Sequence, residues 1–145
     1  MFHFNRIVVL VAALFAVTSG AAAQQGATTP KPGSAERRAI MDALRPPVMA
    51  DLNQRVVFRV AHLKVQGGWA FMTARPIQPD GRKVDYRKSK FAEAWKGGAL
   101  EDEVAALLRR GPKGWSVTRY SIGATDVVWH GWWQTHKAPR AIFPR

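Results

Sequence analysis

Cysteine is absent from the chain. That excludes a disulfide framework, thiolate metal ligation, a cysteine nucleophile and lipid attachment through an N-terminal cysteine, so stability must come from packing alone. Long apolar runs are also lacking: the longest, Ile7 to Val17, falls short of the roughly 20 residues a membrane span requires. Acidic residues are scarce, 10 Asp plus Glu against 22 Lys plus Arg, for a formal charge of +12. No GxSxG motif occurs, and Gly97–Gly98 precedes neither a lysine nor a phosphate-binding helix. Nucleotide binding is therefore unsupported, and no nucleophile announces an enzyme. The reading favours a non-enzymatic protein with no cofactor.

The first residues, MFHFNRIVVLVAALFAVTSGAAAQQ, combine Arg6, the apolar run and the small residues Ala21, Ala22 and Ala23. This is the pattern of a secretory signal peptide over 1–23, with cleavage after Ala23. The expected destination is periplasmic or secreted. Loss of Arg6 with the leader lowers the charge by only one, so the mature chain stays strongly basic and favours anionic partners. Export moves it away from the genome, which leaves no nucleic acid partner. An anionic envelope component (phospholipid headgroups, lipopolysaccharide phosphates, teichoic acids) or an acidic protein takes its place. The plainer alternative is a solvated basic surface kept for solubility.

Residues 24–34, rich in Gly, Thr and Pro and poor in apolar side chains, read as a flexible linker. Residues 35–145 are long enough for one domain. Ser34 reads as a helix N-cap with Glu36 in the first turn, and Ile40, Ala43 and Leu44 make an apolar face. Pro46 and Pro47 are expected to stop or kink that helix, with a further turn through Leu52 and a C-cap at Asn53. Two β-rich runs flank Gly67–Gly68 as a hairpin. Val56, Phe58 and Val60 share one parity and Leu63 and Val65 the other, so a bulge is expected at Ala61 or His62. On the return strand the large residues Trp69, Phe71 and Thr73 are expected to face the core.

A polar excursion follows from Pro76 to Gly98, with turn chemistry at Pro79, Asp80 and Gly81. The run EVAALLRR has helical propensity, but the turn at Gly111 to Gly114 and the alternating strand from Trp115 favour a second hairpin. The fold class is thus α+β: an N-terminal helix packed on an antiparallel sheet of about four strands in two hairpins, helices on one face. A short C-terminal helix or extended Trp-rich segment completes it.

That last segment, VVWHGWWQTH, is open between helix and strand. Helical spacing would align Trp129, Trp132, Trp133 and His136, and such a stripe reads as core before ligand platform. Trp132 is the indole expected to stay partly exposed. His130 and His136 are six apart, which closes on one metal in neither conformation, so no metal site is expected. Asp126 and His130, four apart, have the spacing of a carboxylate-oriented imidazole on a helix, though capping by Asp126 is the better reading. Trp132, His130 and Asp126 remain the possible ligand contacts.

Positive charge is densest in GRKVDYRKSKF, where Arg82, Lys83, Arg87, Lys88 and Lys90 surround a single acid, Asp85. These five are the candidate anion-binding residues. The competing reading is a solvated loop whose Tyr86, Phe91 and Trp95 fold back on the sheet.

The segments ALLRRGPKGWSVTRYSIGATDVVWHGWW and APRAIFP resemble a family of small exported bacterial proteins of uncharacterised activity. The likeness runs from about Glu36 to Pro144 and rests on the Gly123 to Asp126 turn, the tryptophans after it and the proline-containing tail. It implies export and an α+β fold and transfers no catalytic residue. The leading functional expectation is an exported basic domain that binds an anionic envelope component or acidic protein. The alternative is a small-molecule-binding or hydrolytic domain with a pocket between helix and sheet, engaging His62 or His130.

Overall fold

Ser34 begins the first helix, its Oγ accepting a hydrogen bond from the backbone N–H of Arg37 at 3.2 Å. Helix α1 runs from Ala35 to Leu52 and ends on Asn53 in the left-handed region, φ 51°. The computed structural model describes residues 25–145, and the leader expected at 1–23 lies outside them. Of the stop or kink expected at Pro46–Pro47, the stop does not occur: both prolines lie inside α1. Ile40, Leu44, Val48 and Leu52 recur every fourth residue and are fully buried. Four such burials at about 1.5–3 kcal/mol each are enough to offset two proline penalties of about 3 kcal/mol each.

Strands β1 (Val57–Gln66) and β2 (Trp69–Ile77) form the first hairpin. Gly67 and Gly68 both take positive φ, 57° and 76°, as a two-residue turn matched to strand twist requires. Val60 opposes Ala74 and His62 opposes Thr73, so Ala61 is the extra residue of the expected bulge. It brings Phe58 and Val60, then Leu63 and Val65, to the same buried cluster. The second hairpin joins β3 (Val104–Gly111) to β4 (Gly114–Ile122), and EVAALLRR is a strand. All pairings are antiparallel in the order β1-β2-β3-β4. The fold is α+β.

The large residues of β2 are buried as expected, but the helices do not share one face, because the two inner strands are buried on both. Ala70, Met72, Ala74, Val104, Ala106 and Leu108 share a cluster with Ile40, Leu44, Val48 and Leu52 of α1. Trp69, Phe71, Ala105 and Leu107 point the other way, into a second cluster with Trp132, Ala138, Ile142 and Phe143. The large residues of β2 therefore lie opposite α1. Small side chains leave room for a helix about 10 Å across, while the bulky rings meet an irregular segment that fits around them. His62 Nε2 donates to the Ile142 carbonyl at 2.7 Å, which ties that segment to β1.

Three further contacts hold the layers in place. Tyr120 of β4 donates to Asp51 of α1 at 2.7 Å, and burial, then that bond, pushes the Tyr120 hydroxyl up to about 12. Gly123, φ 78°, donates to Glu103 O and accepts from Glu101 N, closing the far end of the second hairpin. A Cβ there would lie 1.9 Å from Leu100 Cδ1. Within the stretch expected to be a flexible linker, Thr28 exchanges backbone hydrogen bonds with Val65 at 2.9 and 2.8 Å, and Pro30 is buried. An edge strand leaves donors and acceptors open, and Thr28 satisfies one pair of them. Among the described residues no helix is long and apolar enough to cross a membrane.

Leu44→Ala is expected to cost about 2–5 kcal/mol of folding stability by urea denaturation; a loss under about 1 kcal/mol would mean α1 is not docked. Tyr120 titrates near 10.0 unfolded and about 12 folded, so its contribution is present below pH 10 and is lost as pH rises through 12. Melting temperature is expected to fall more steeply across that window in the native chain than in Tyr120→Phe.

A candidate anion-binding groove in the basic excursion

The chain between β2 and β3 leaves one inner strand and enters the next, so both its ends are fixed. Gly81, φ 88°, closes a turn in which its N–H donates to Gln78 O at 2.8 Å. Val84 and Tyr86 then turn inward, 5% and 2% exposed. Asp85 accepts from Arg87 N at 3.1 Å and caps a short 3-10 turn, Tyr86–Lys88. The Gln54 side chain, just past α1, bonds both backbone groups of Asp85 at 2.9 and 3.0 Å. A short helix α2, Ala92–Lys96, follows.

Tyr86 donates to Asp102 at 2.7 Å. Burial first, and the Asp102 carboxylate second, hold that phenol protonated far above its ordinary range. The Trp95 ring of α2 stacks on Tyr86, centroids 4.9 Å apart and planes at 25°, yet Trp95 remains 42% exposed. A groove of about 590 Å³ runs beside this pair, bordered by Gln78, Arg82, Lys83 and Arg87.

The five candidate cations divide into distinct roles. Arg82 pairs with Asp80 at 2.6 Å and Arg87 with Asp85 at 2.8 Å. Both carboxyls are held below their usual range, Asp80 chiefly by the Arg82 backbone N–H and Asp85 chiefly by the Arg87 guanidinium. Lys90 pairs with Asp51 at 2.7 Å, and its N–H bonds the Asp51 carbonyl, so it pins the excursion to α1. Lys83 and Lys88 make no ion pair among the described residues. Arg82, Lys83 and Arg87 converge on the groove, which the carboxylates of Asp85 and Asp102 also line; Lys88 and Lys90 do not line it.

Trp132, His130 and Asp126 are not brought together. Trp132 is 3% exposed, edge-on to Phe71 at 6.3 Å and overlaid by Arg119 at 5.1 Å, so the indole expected to be exposed is core. Helix α3 spans only Trp132–His136, because Gly131 at φ 85° breaks from helical geometry. Asp126 and His130 thus lie in turns and share no hydrogen bond. His130 meets the Trp133 ring edge at 5.3 Å and borders a cleft of about 290 Å³ with Trp129 and Arg140. Asp126 lines a different recess, with Arg75, Glu101, Asp102 and Glu103. There burial, then Glu101, pushes the Glu103 carboxyl up.

Sequence reasoning missed Gln78 and the exposure of Trp95. It also missed three arginines laid on indoles of the second face: Arg109 over Trp69, Arg119 over Trp132 and Arg140 over Trp133. No local signal encodes the first two pairs, whose partners lie on different elements. Comparison of the chain with protein-family models, curated proteins and solved structures finds no match.

Trp132→Ala is expected to destabilise the protein by about 3–5 kcal/mol, while His130→Ala, at an exposed position, stays within about 0.5 kcal/mol. Equilibrium unfolding in urea reads both, and equal costs would contradict the assignment of Trp132 to the core.

Proposed function

We propose that the protein is an exported, non-enzymatic binding domain whose basic excursion takes up an anionic envelope component or acidic protein. The observation that carries this reading is the convergence of Arg82, Lys83 and Arg87 on one groove whose backbone is anchored by Gln54, Lys90 and Tyr86. Anchoring matters because a preorganised site loses little conformational entropy on binding. Lys83 brings a cation with no carboxylate partner among the described residues. Arg82 holds an exposed aspartate two residues away, a pair weak enough for an incoming anion to compete, whereas Arg87 is held bidentately by the partly buried Asp85 and meets an anion without releasing it.

The space between α1 and the sheet, where a small-molecule pocket was the alternative, is filled by the side chains of Ile40, Leu44, Val48 and Leu52. His62, a candidate for such a pocket, bonds the Ile142 carbonyl on the opposite face of the sheet. Among the described residues no observation favours that second reading.

Binding of the chain from Gln24 onward to polyphosphate, to phosphatidylglycerol vesicles and to a poly-glutamate peptide tests the proposal. Affinity for at least one probe is expected to fall about tenfold or more when Arg82, Lys83 and Arg87 become Gln together, with a shallower salt dependence. Lys31, Arg59 and Lys113, exposed cations outside the groove, serve as the matched control. Equal weakening by both triple variants would reduce the basic character to a diffuse surface charge and end the proposal.

A further inference from the structure

The groove's cations share it with an aromatic ring, and that pairing narrows the partner. Trp95 and Val127 are the large apolar side chains left exposed among the described residues, at 42% and 56%, and only Trp95 borders the basic groove. Resting on the anion-binding reading above, we infer that the partner is an anionic glycan: a sugar ring stacks on Trp95 while its phosphate or carboxylate meets Arg82, Lys83 and Arg87.

Rigidity supports this. One face of the indole is backed by Tyr86, which is itself buried and fixed through its hydroxyl to Asp102. The helix carrying Trp95 is closed behind it by the N–H groups of Gly97, Gly98 and Ala99, which donate to Glu93, Trp95 and Ala94 carbonyls. The exposed indole surface is thus presented in a set orientation. An aromatic face carries negative charge density, and the C–H bonds on the flat side of a pyranose carry the complementary positive end. Sugar hydroxyls also need donors and acceptors, and the Gln78 side chain and the guanidinium edges of Arg82 and Arg87 border the same space.

Other anionic partners fit less well. A bilayer gains from several inserting apolar groups, whereas this open groove of about 590 Å³ presents one exposed ring. Its volume lies within the roughly 300–1,000 Å³ typical of small-ligand sites. An acidic peptide can be held by an arginine cluster through its charges, but charge contacts alone leave the exposed Trp95 ring beside them unused.

Calorimetric titration of the chain from Gln24 onward with an oligogalacturonate, a sugar-phosphate oligomer, a neutral oligosaccharide of equal length and inorganic polyphosphate separates the possibilities. The first two distinguish carboxylate from phosphate as the recognised group. At least one anionic sugar is expected to bind about tenfold more tightly than the neutral one. Trp95→Ala should remove about tenfold of that affinity and leave polyphosphate binding unchanged. Trp95→Phe, which keeps a ring against Tyr86, should retain most of it, with melting temperatures showing that both variants fold. The bound sugar's C–H protons should move upfield by ring current in the native chain and not in Trp95→Ala.

If polyphosphate, vesicles or the acidic peptide bind through Arg82, Lys83 and Arg87 while sugars do not, or if Trp95→Ala changes nothing, the glycan inference is overturned and the anion-binding reading stands. If no anionic probe depends on those three cations, both fail.

Discussion

Two-sided burial of β2 and β3 is the constraint on which the rest of the structure depends. A sheet with one face left wet needs one cover; inner strands apolar on both faces need two. The chain supplies them from opposite ends, α1 before the sheet and the segment holding α3 after it. Phe71 of β2, fully buried, is the ring on which the second cover closes, with Phe143 at 4.4 Å, Trp129 at 5.6 Å and Trp132 at 6.3 Å. Offset and edge contacts of this kind add to area burial, which suits a cover with only one short helix in it. Arginines laid on Trp69, Trp132 and Trp133 shield the rims of those rings while keeping their charge in water.

The same constraint positions the groove. Because the excursion departs from one inner strand and returns into the other, its stems cannot move without unpacking the sheet. Lys90 and Gln54 then fasten its middle to the end of α1 through Asp51 and Asp85. A segment of this length without a regular core of its own is ordinarily mobile; here its inward residues, Val84, Tyr86 and Ser89, are buried.

Local chemistry was legible in the sequence. The Ser34 cap, the Gly67–Gly68 turn and the bulge at Ala61 each follow from a few adjacent residues, and each is present. The errors came where distant packing decides. Pro46–Pro47 reads as a stop or a kink because the penalty is local, while the Leu44, Val48 and Leu52 contacts that carry the helix past the stop are not. Alternation on β2 reveals two kinds of face, large and small, but not which element covers which, and Trp132 looks free until Phe71 is seen beneath it. The groove was half legible: the charge run and the inward fold of Tyr86 were both anticipated, but their coexistence with an exposed Trp95 was not.

Charge density along the sequence also overstates the free charge in space. Five cations in eleven residues suggest a uniform basic patch, yet Arg82, Arg87 and Lys90 each meet an aspartate, and only the Asp51–Lys90 pair bridges the excursion to α1. The two arginine pairs are local, with Asp80 exposed and Asp85 partly buried. An entering anion that displaces Asp80 exchanges one carboxylate contact for another and gains little by charge alone. Discrimination must then come from what accompanies the anion. In this groove the neighbouring surface is an indole fixed on a buried phenol, which rewards a ligand that carries a flat apolar face beside its charge.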